Sequence, residues 1–187
     1  MPGGRVWEDL ERLQSAVGDE FPANRICPQQ FHAPLAPPVA AEREGKQVDA
    51  ALLRSGIDWW RERTEFVVVE GAGGLLSPLS NADTVADVAA SIGFPLLIVS
   101  RLSLGTINHT LLTLEAARAR GLLVAGIVLN QPIAPNADDL SVETNPNELK
   151  KRCGVPILAI LPHVSTTGLL QDSPLFTIDW MQVTLHR

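Results

Sequence analysis

The sequence predicts an α/β fold, a mostly parallel sheet flanked by helices. Two observations carry this. Short apolar runs rich in β-branched residues recur at 66–69, 96–99, 125–129 and 156–161. Among these runs, that at 66–69 is continuous rather than alternating, as expected of a strand buried on both faces. Segments with helical spacing separate the runs, the pattern of parallel βαβ units. At 187 residues the chain fits one domain, 1–187, with a sizeable core.

Each element has its own justification. Residues 6–17 place Leu10, Leu13 and Val17 at helical spacing, giving an amphipathic helix. From 21 to 39, Pro22, Pro28, Pro34, Pro37 and Pro38 exclude a regular helix through most of the stretch, which is expected to be a loop with extended segments. Residues 49–63 read as one helix with a basic last turn that suits the dipole. The strand at 66–69 is followed by a short helix at 83–92, closed by Gly93. Pro95 then opens the second strand. Residues 108–120 form a helix with Leu111, Leu112 and Leu114 inward, Arg118 and Arg120 in its last turn, and Gly121 as its stop. The strand at 125–129 leads into a loop rich in Pro, Asn and Asp, then a short helix at 147–152 before Gly154. The strand at 156–161 is the last element predicted; the tail beyond Gly168 is ambiguous.

Composition narrows the function classes. The hydrophobic content of 45% and charged content of 19% are those of an ordinary globular protein. A formal net charge of −6 argues against a nucleic-acid surface, which needs clustered Lys and Arg. No apolar run reaches the roughly 18 residues of a membrane span. Arg5, Glu8 and Asp9 interrupt any leader-like segment, so a cytoplasmic protein is expected. Cys27 and Cys153 stand far apart, and His32, His109, His163 and His186 show no metal-ligand spacing. A disulfide or a transition-metal site is therefore not expected.

Four places can carry chemistry. Glu70 ends the run FVVVEGAGG at a strand's carboxyl end, where open α/β sheets put their ligand crevice. A carboxylate there suits Mg²⁺, a hard cation that usually arrives with phosphates. Gly71, Gly73 and Gly74 permit a sharp turn and close approach of a ligand. The plain alternative is a buried strand, a glycine turn and an exposed acid. The second place is Leu104-Gly105-Thr106-Ile107-Asn108, ahead of the next helix. Free amides at a helix start, with Thr106 and Asn108 as capping side chains, make an anion site; a simple cap would explain Asn108 equally well. Third, Asn130 offers donor and acceptor together, matching a purine edge, or it is a turn residue bonding its own backbone. Fourth, His163 follows Pro162 and is not expected to be a catalytic base. Ser77, Ser80 and Ser103 have no His-Asp pairing in reach of the pattern, and no Gly-x-Ser-x-Gly elbow occurs.

Four blocks resemble the dethiobiotin synthetases, ATP-dependent enzymes of biotin synthesis. They are APLAPPVAAEREGKQVD at 33–49, VVVEGAGGLLSPLS at 67–80, PLLIVSRLSLGTINHTLLTLEAARARGL at 95–122 and AGIVLNQ at 125–131. The resemblance implies a P-loop NTPase-like fold, a homodimer, ATP and Mg²⁺ as cofactors, and ring closure of 7,8-diaminononanoate with CO₂ to dethiobiotin. It also implies that Glu70 and Asp9 ligate Mg²⁺ and that Gly71, Ala72 and Gly73 lie along the nucleotide and the reacting carbamate. Asp9 has a plain alternative as a helix-start acid. By the same resemblance, Gly105, Thr106, Ile107 and Asn108 hold the substrate carboxylate across a dimer interface. Asn130 and Gln131 meet adenine, and Pro162, His163 and Val164 wall the base pocket. One departure stands out. The family opens with a strand, a Gly-Thr-x-Thr-x-x-Gly-Lys-Thr phosphate loop and a second strand bearing a catalytic lysine, and neither strand nor loop is found here. Lys46 and Lys150-Lys151 do not follow a glycine-rich loop after a strand. The expectation is a family core without its front end, inactive alone; the alternatives are a non-catalytic binding module keeping the fold, or a relative such as a cobyrinate-type amidotransferase or a partitioning-type ATPase. The Gly-Thr-Ile-Asn-His block disfavours such relatives.

Overall fold

The computed structural model describes residues 8–18, 20–134, 139–164 and 173–185. The chain forms two compact units, Met1–Ile92 and Gly93–Arg187. Residues 6 and 7 of the first expected helix, part of the loop after 129, and the tail from Gly168 to residue 172 lie outside the described residues.

The first unit is helical. Helix α1 (Glu8–Val17) forms where expected, but Leu13 and Val17 stay exposed. Helix α2 (Ala23–Ile26) and helix α3 (Pro37–Arg43) occupy the stretch expected to be loop. Pro37 and Pro38 open α3 rather than break it, because a first-turn N–H has no helical acceptor to lose. Ala40 and Ala41 bury its inner face. The helix expected over 49–63 is two: α4 (Ala50–Ser55) and α5 (Asp58–Arg61). Asp49 caps α4 by accepting from the Leu52 amide at 2.9 Å. Gly56, a weak helix former, and buried Ile57 separate the pair. Helix α6 (Val85–Ile92) starts two residues later than expected. Its acceptor at the start is Asp87, which takes hydrogen bonds from the Thr84 amide (2.8 Å) and hydroxyl (2.6 Å).

The strand expected at 66–69 is not formed. No described strand pairs with it, and Phe66, Val68 and Val69 are exposed, Val68 by 79%. An apolar run supplies the side chains for a buried strand, but the ladder comes from a neighbour's backbone. Among the described residues that neighbour is missing.

The second unit holds the sheet. Strands β1 (Leu96–Arg101), β2 (Val124–Asn130) and β3 (Ile157–Leu161) run parallel in the order β1-β2-β3. Helix α7 (Thr106–Ala119) joins the first pair and α8 (Ser141–Arg152) the second. Both helices begin earlier than expected, at 106 instead of 108 and at 141 instead of 147. Central β2 is buried from Gly126 to Leu129. Ile127 and Leu129 pack with Ile98, Leu114 and Leu149 in one core. On β1 only Ile98 and Ser100 are buried, while Leu97 and Val99 face out. Beyond 172 a 3₁₀ turn (Pro174–Thr177) packs on β3, and helix α9 (Trp180–Leu185) reaches β2.

Candidate functional site

Parallel strands send all their carboxyl ends to one edge, and the register shows which residues meet there. Arg101 pairs with Asn130, and Asn130 with Leu161. The row continues past the strands: the Leu102 amide donates to the Asn130 carbonyl at 2.7 Å, and the Gln131 amide to the Leu161 carbonyl at 3.0 Å. Three sequence-predicted segments therefore leave the same edge: Gly105–Asn108 after β1, Asn130 and Gln131 ending β2, and Pro162, His163 and Val164 after β3. The Asn130 side chain makes no hydrogen bond among the described residues. A groove of about 320 Å³ lies at the opposite edge, lined by Val124, Ala125, Pro156, Leu158 and Val183. Its lining carries no ionisable group.

The start of α7 differs from a simple cap. Its N-cap residue is Gly105, which cannot cap through a side chain. Thr106 is 4% exposed inside the fold, and Asn108 sits exposed in the first turn; neither side chain bonds a first-turn amide. The expectation that Thr106 and Asn108 cap the helix is therefore corrected, because the cap position falls one residue earlier. Gly105 has φ +92°, a left-handed conformation that by itself calls for glycine. A Cβ there would meet only His109, at 3.7 Å. Thus glycine at 105 is explained by the backbone and is not, taken alone, a sign of a ligand.

In the first unit Glu70 and Ala72 are exposed, and the turn between them is closely packed. A Cβ on Gly71 would come within 2.7 Å of Val85, and Gly73 has φ +90° with Ser77 Oγ 2.6 Å from a Cβ position. Backbone bonds from Val85 to Ser77 (3.0 Å) and from Ala86 to Leu75 (2.9 Å) tie this turn to the start of α6. The sequence reading missed what holds that start. Asp83 accepts from both terminal nitrogens of Arg54 and from Ser80 Oγ at 2.7 Å, and the Arg54 guanidinium holds its carboxyl below the usual range. An Arg-to-Asp pair 29 residues apart leaves no local pattern. Asp9 lies exposed near the start of α1. No group of three potential metal ligands occurs among the described residues.

A family model described as an AAA domain matches residues 3–168. The ATP-dependent dethiobiotin synthetase BioD of Anaeromyxobacter sp. (strain Fw109-5) is 49% identical over 156 residues, 83% of this chain and 69% of that protein. That of Aromatoleum aromaticum is 36% identical over 160 residues, 84% of this chain and 69% of that protein. That of Bacillus subtilis (strain 168) is 42% identical over 140 residues, 75% of this chain and 60% of that protein.

The chain belongs to the dethiobiotin synthetase family.

Family membership fits the observed parallel sheet, which is a P-loop NTPase-like α/β core. It also bears on the acidic residues. Glu70 and Asp9 are each exposed carboxylates, the kind of oxygen donor that Mg²⁺ takes.

Proposed function

We propose that this chain works in biotin synthesis as a dethiobiotin synthetase core, closing 7,8-diaminononanoate and CO₂ into a ring at the expense of ATP. What supports this best is the shared carboxyl edge, where the α7 start, Asn130 and the 162–164 segment converge. Free amides at the α7 start attract the substrate carboxylate, since the amides and the helix dipole both favour an anion. Asn130 and Gln131 read the adenine edge, with Pro162, His163 and Val164 as the facing wall. Glu70 and Asp9 would hold Mg²⁺, and Gly71, Ala72 and Gly73 would lie along the nucleotide and the reacting carbamate. When bound, the metal supplies charge stabilisation to the transferring phosphoryl group. The contribution of the chain's own residues is to fix the diamine and nucleotide in register, so that reaction is effectively intramolecular.

The same reading makes the protein a cytoplasmic homodimer. Leu104, 85% exposed at the tip of the turn before α7, lies in the segment that such a dimer would bring to its interface. No described helix is long and apolar enough to cross a membrane. The deciding experiment is Asn130→Ala with ATP and GTP titrated in turn. Loss of the amide should weaken ATP about tenfold and erase preference over GTP, because a base edge is left unpaired. An unchanged ATP-to-GTP ratio would remove Asn130 from base recognition.

A further inference from the structure

Asn145 sits inside α8, followed by Pro146. Both are poor residues for a helix interior, and the position before a proline is biased away from helical geometry. The side chain is also 6% exposed, so an amide has been taken out of water where an apolar residue would pack at less cost. Local propensity and burial both oppose asparagine here, and a hydrogen bond to a distant carbonyl accounts for it. Asn145 Nδ2 donates to the Ser103 carbonyl at 2.9 Å, across 42 residues of sequence. The same carbonyl accepts from the Thr106 amide at 3.2 Å. Ser103 is thus clamped from two sides immediately before Leu104 and the left-handed Gly105. With the Thr106 amide engaged, those of Ile107 and Asn108, next in the first turn of α7, are left without a helical acceptor.

We propose that Asn145 is a positioning residue for the substrate carboxylate. It acts through the Ser103 carbonyl to hold the 103–105 turn so that the Ile107 and Asn108 amides face the anion. This role rests on the substrate-tail reading of Gly105–Asn108 proposed above. A carboxylate bound by two amides depends on their direction, so an unclamped turn loses the charged ligand and leaves interactions elsewhere in place.

The test is calorimetric titration of the protein with 7,8-diaminononanoate and with its methyl ester, which keeps the diamine and removes the charge. The unaltered protein should bind the acid about tenfold more tightly than the ester. Asn145→Asp, of the same shape without the donor, and Asn145→Leu, which buries no charge, should bring that ratio close to one while ester affinity stays constant. Thr110→Val provides the comparison: it removes a buried hydroxyl paired with Ser100 at 2.8 Å, also between β1 and α7, without touching Ser103. It should lower the unfolding temperature and keep the ratio. Asn145 variants that are destabilised like Thr110→Val yet keep the acid-to-ester ratio overturn the positioning role. Should Asn145→Asp fail to fold, Asn145→Leu decides alone, and failure of both to fold assigns Asn145 to stability and overturns the role as well. An unaltered protein that does not distinguish acid from ester removes the substrate-tail reading itself, and the role with it.

Discussion

At position 105 the backbone alone demands glycine. A side chain at φ +92° is strained even though the space is open, so Gly105→Ala should cost about 1–2 kcal/mol in urea unfolding. Asn108→Ala should cost less than about 0.5 kcal/mol, since its exposed amide caps nothing. A loss nearer 1–2 kcal/mol at Asn108 would restore the capping role that the structure denies it. At Glu70 the expectation is chemical. Glu70→Gln keeps the shape and removes one charge, so in a form that turns over ATP it should raise the Mg²⁺ concentration for half-maximal rate at least about tenfold. Circular dichroism should be unchanged. An unaltered Mg²⁺ requirement would return Glu70 to an exposed acid beside a glycine turn.

At the scale of elements, the helices of the first unit are held by side chains from distant loops. Glu44, the C-cap residue of α3, accepts from the His32 amide at 2.6 Å and from Lys46 Nζ at 2.7 Å. The bond from Lys46, then that from the His32 amide, lowers its carboxyl from 4.5 to about 2. A lowered folded-state value means that the unfolded chain takes up the proton first. The contribution is therefore complete above about 4.5, declines as the pH falls, and is gone below about 2. Glu44→Gln should flatten this part of the acid-unfolding curve, measured by fluorescence of the tryptophans, and leave stability at pH 7 lower. A variant whose acid limb superimposes on that of the unaltered protein would show that Glu44 titrates alike in both states. Asp83, held low by Arg54 and Ser80, runs in the same direction.

For the whole molecule, the decisive feature is one of sequence: no glycine-rich loop ending in Gly-Lys-Thr occurs in the 187 residues. Phosphoryl transfer is mostly charge stabilisation, and losing a single cationic contributor costs about 10³-fold or more. These residues alone should accordingly form dethiobiotin at least about 10³-fold more slowly than the same residues joined to such a loop. Product formation at equal rates would show that positioning of the diamine and base suffices. The exposed Phe66, Val68 and Val69 belong to the same scale. An exposed apolar run with no strand partner among the described residues is a site for association, so the 187 residues should self-associate on sizing columns as concentration rises.

What the sequence determined by itself was local and periodic. Apolar runs and glycine stops placed β1, β2 and β3 within two residues at either end, and the α/β class followed from their alternation with helices. Glu70, Asn130 and the Gly105 turn were legible as candidates because each ends or follows an apolar run. Tertiary structure decided everything that needed a partner. The 66–69 run had strand composition but no ladder, since hydrogen bonds come from another segment. Pro37 and Pro38 turned out to start a helix, a matter of which turn they occupy. That Gly105–Asn108, Asn130 and Pro162–Val164 share an edge came from parallel pairing and register. The residues that hold the start of α6 and the turn before α7, Arg54 with Asp83 and Asn145 with Ser103, were invisible beforehand. Their partners lie 29 and 42 residues away, and only folding brings a donor so distant in sequence within 3 Å or so of its acceptor.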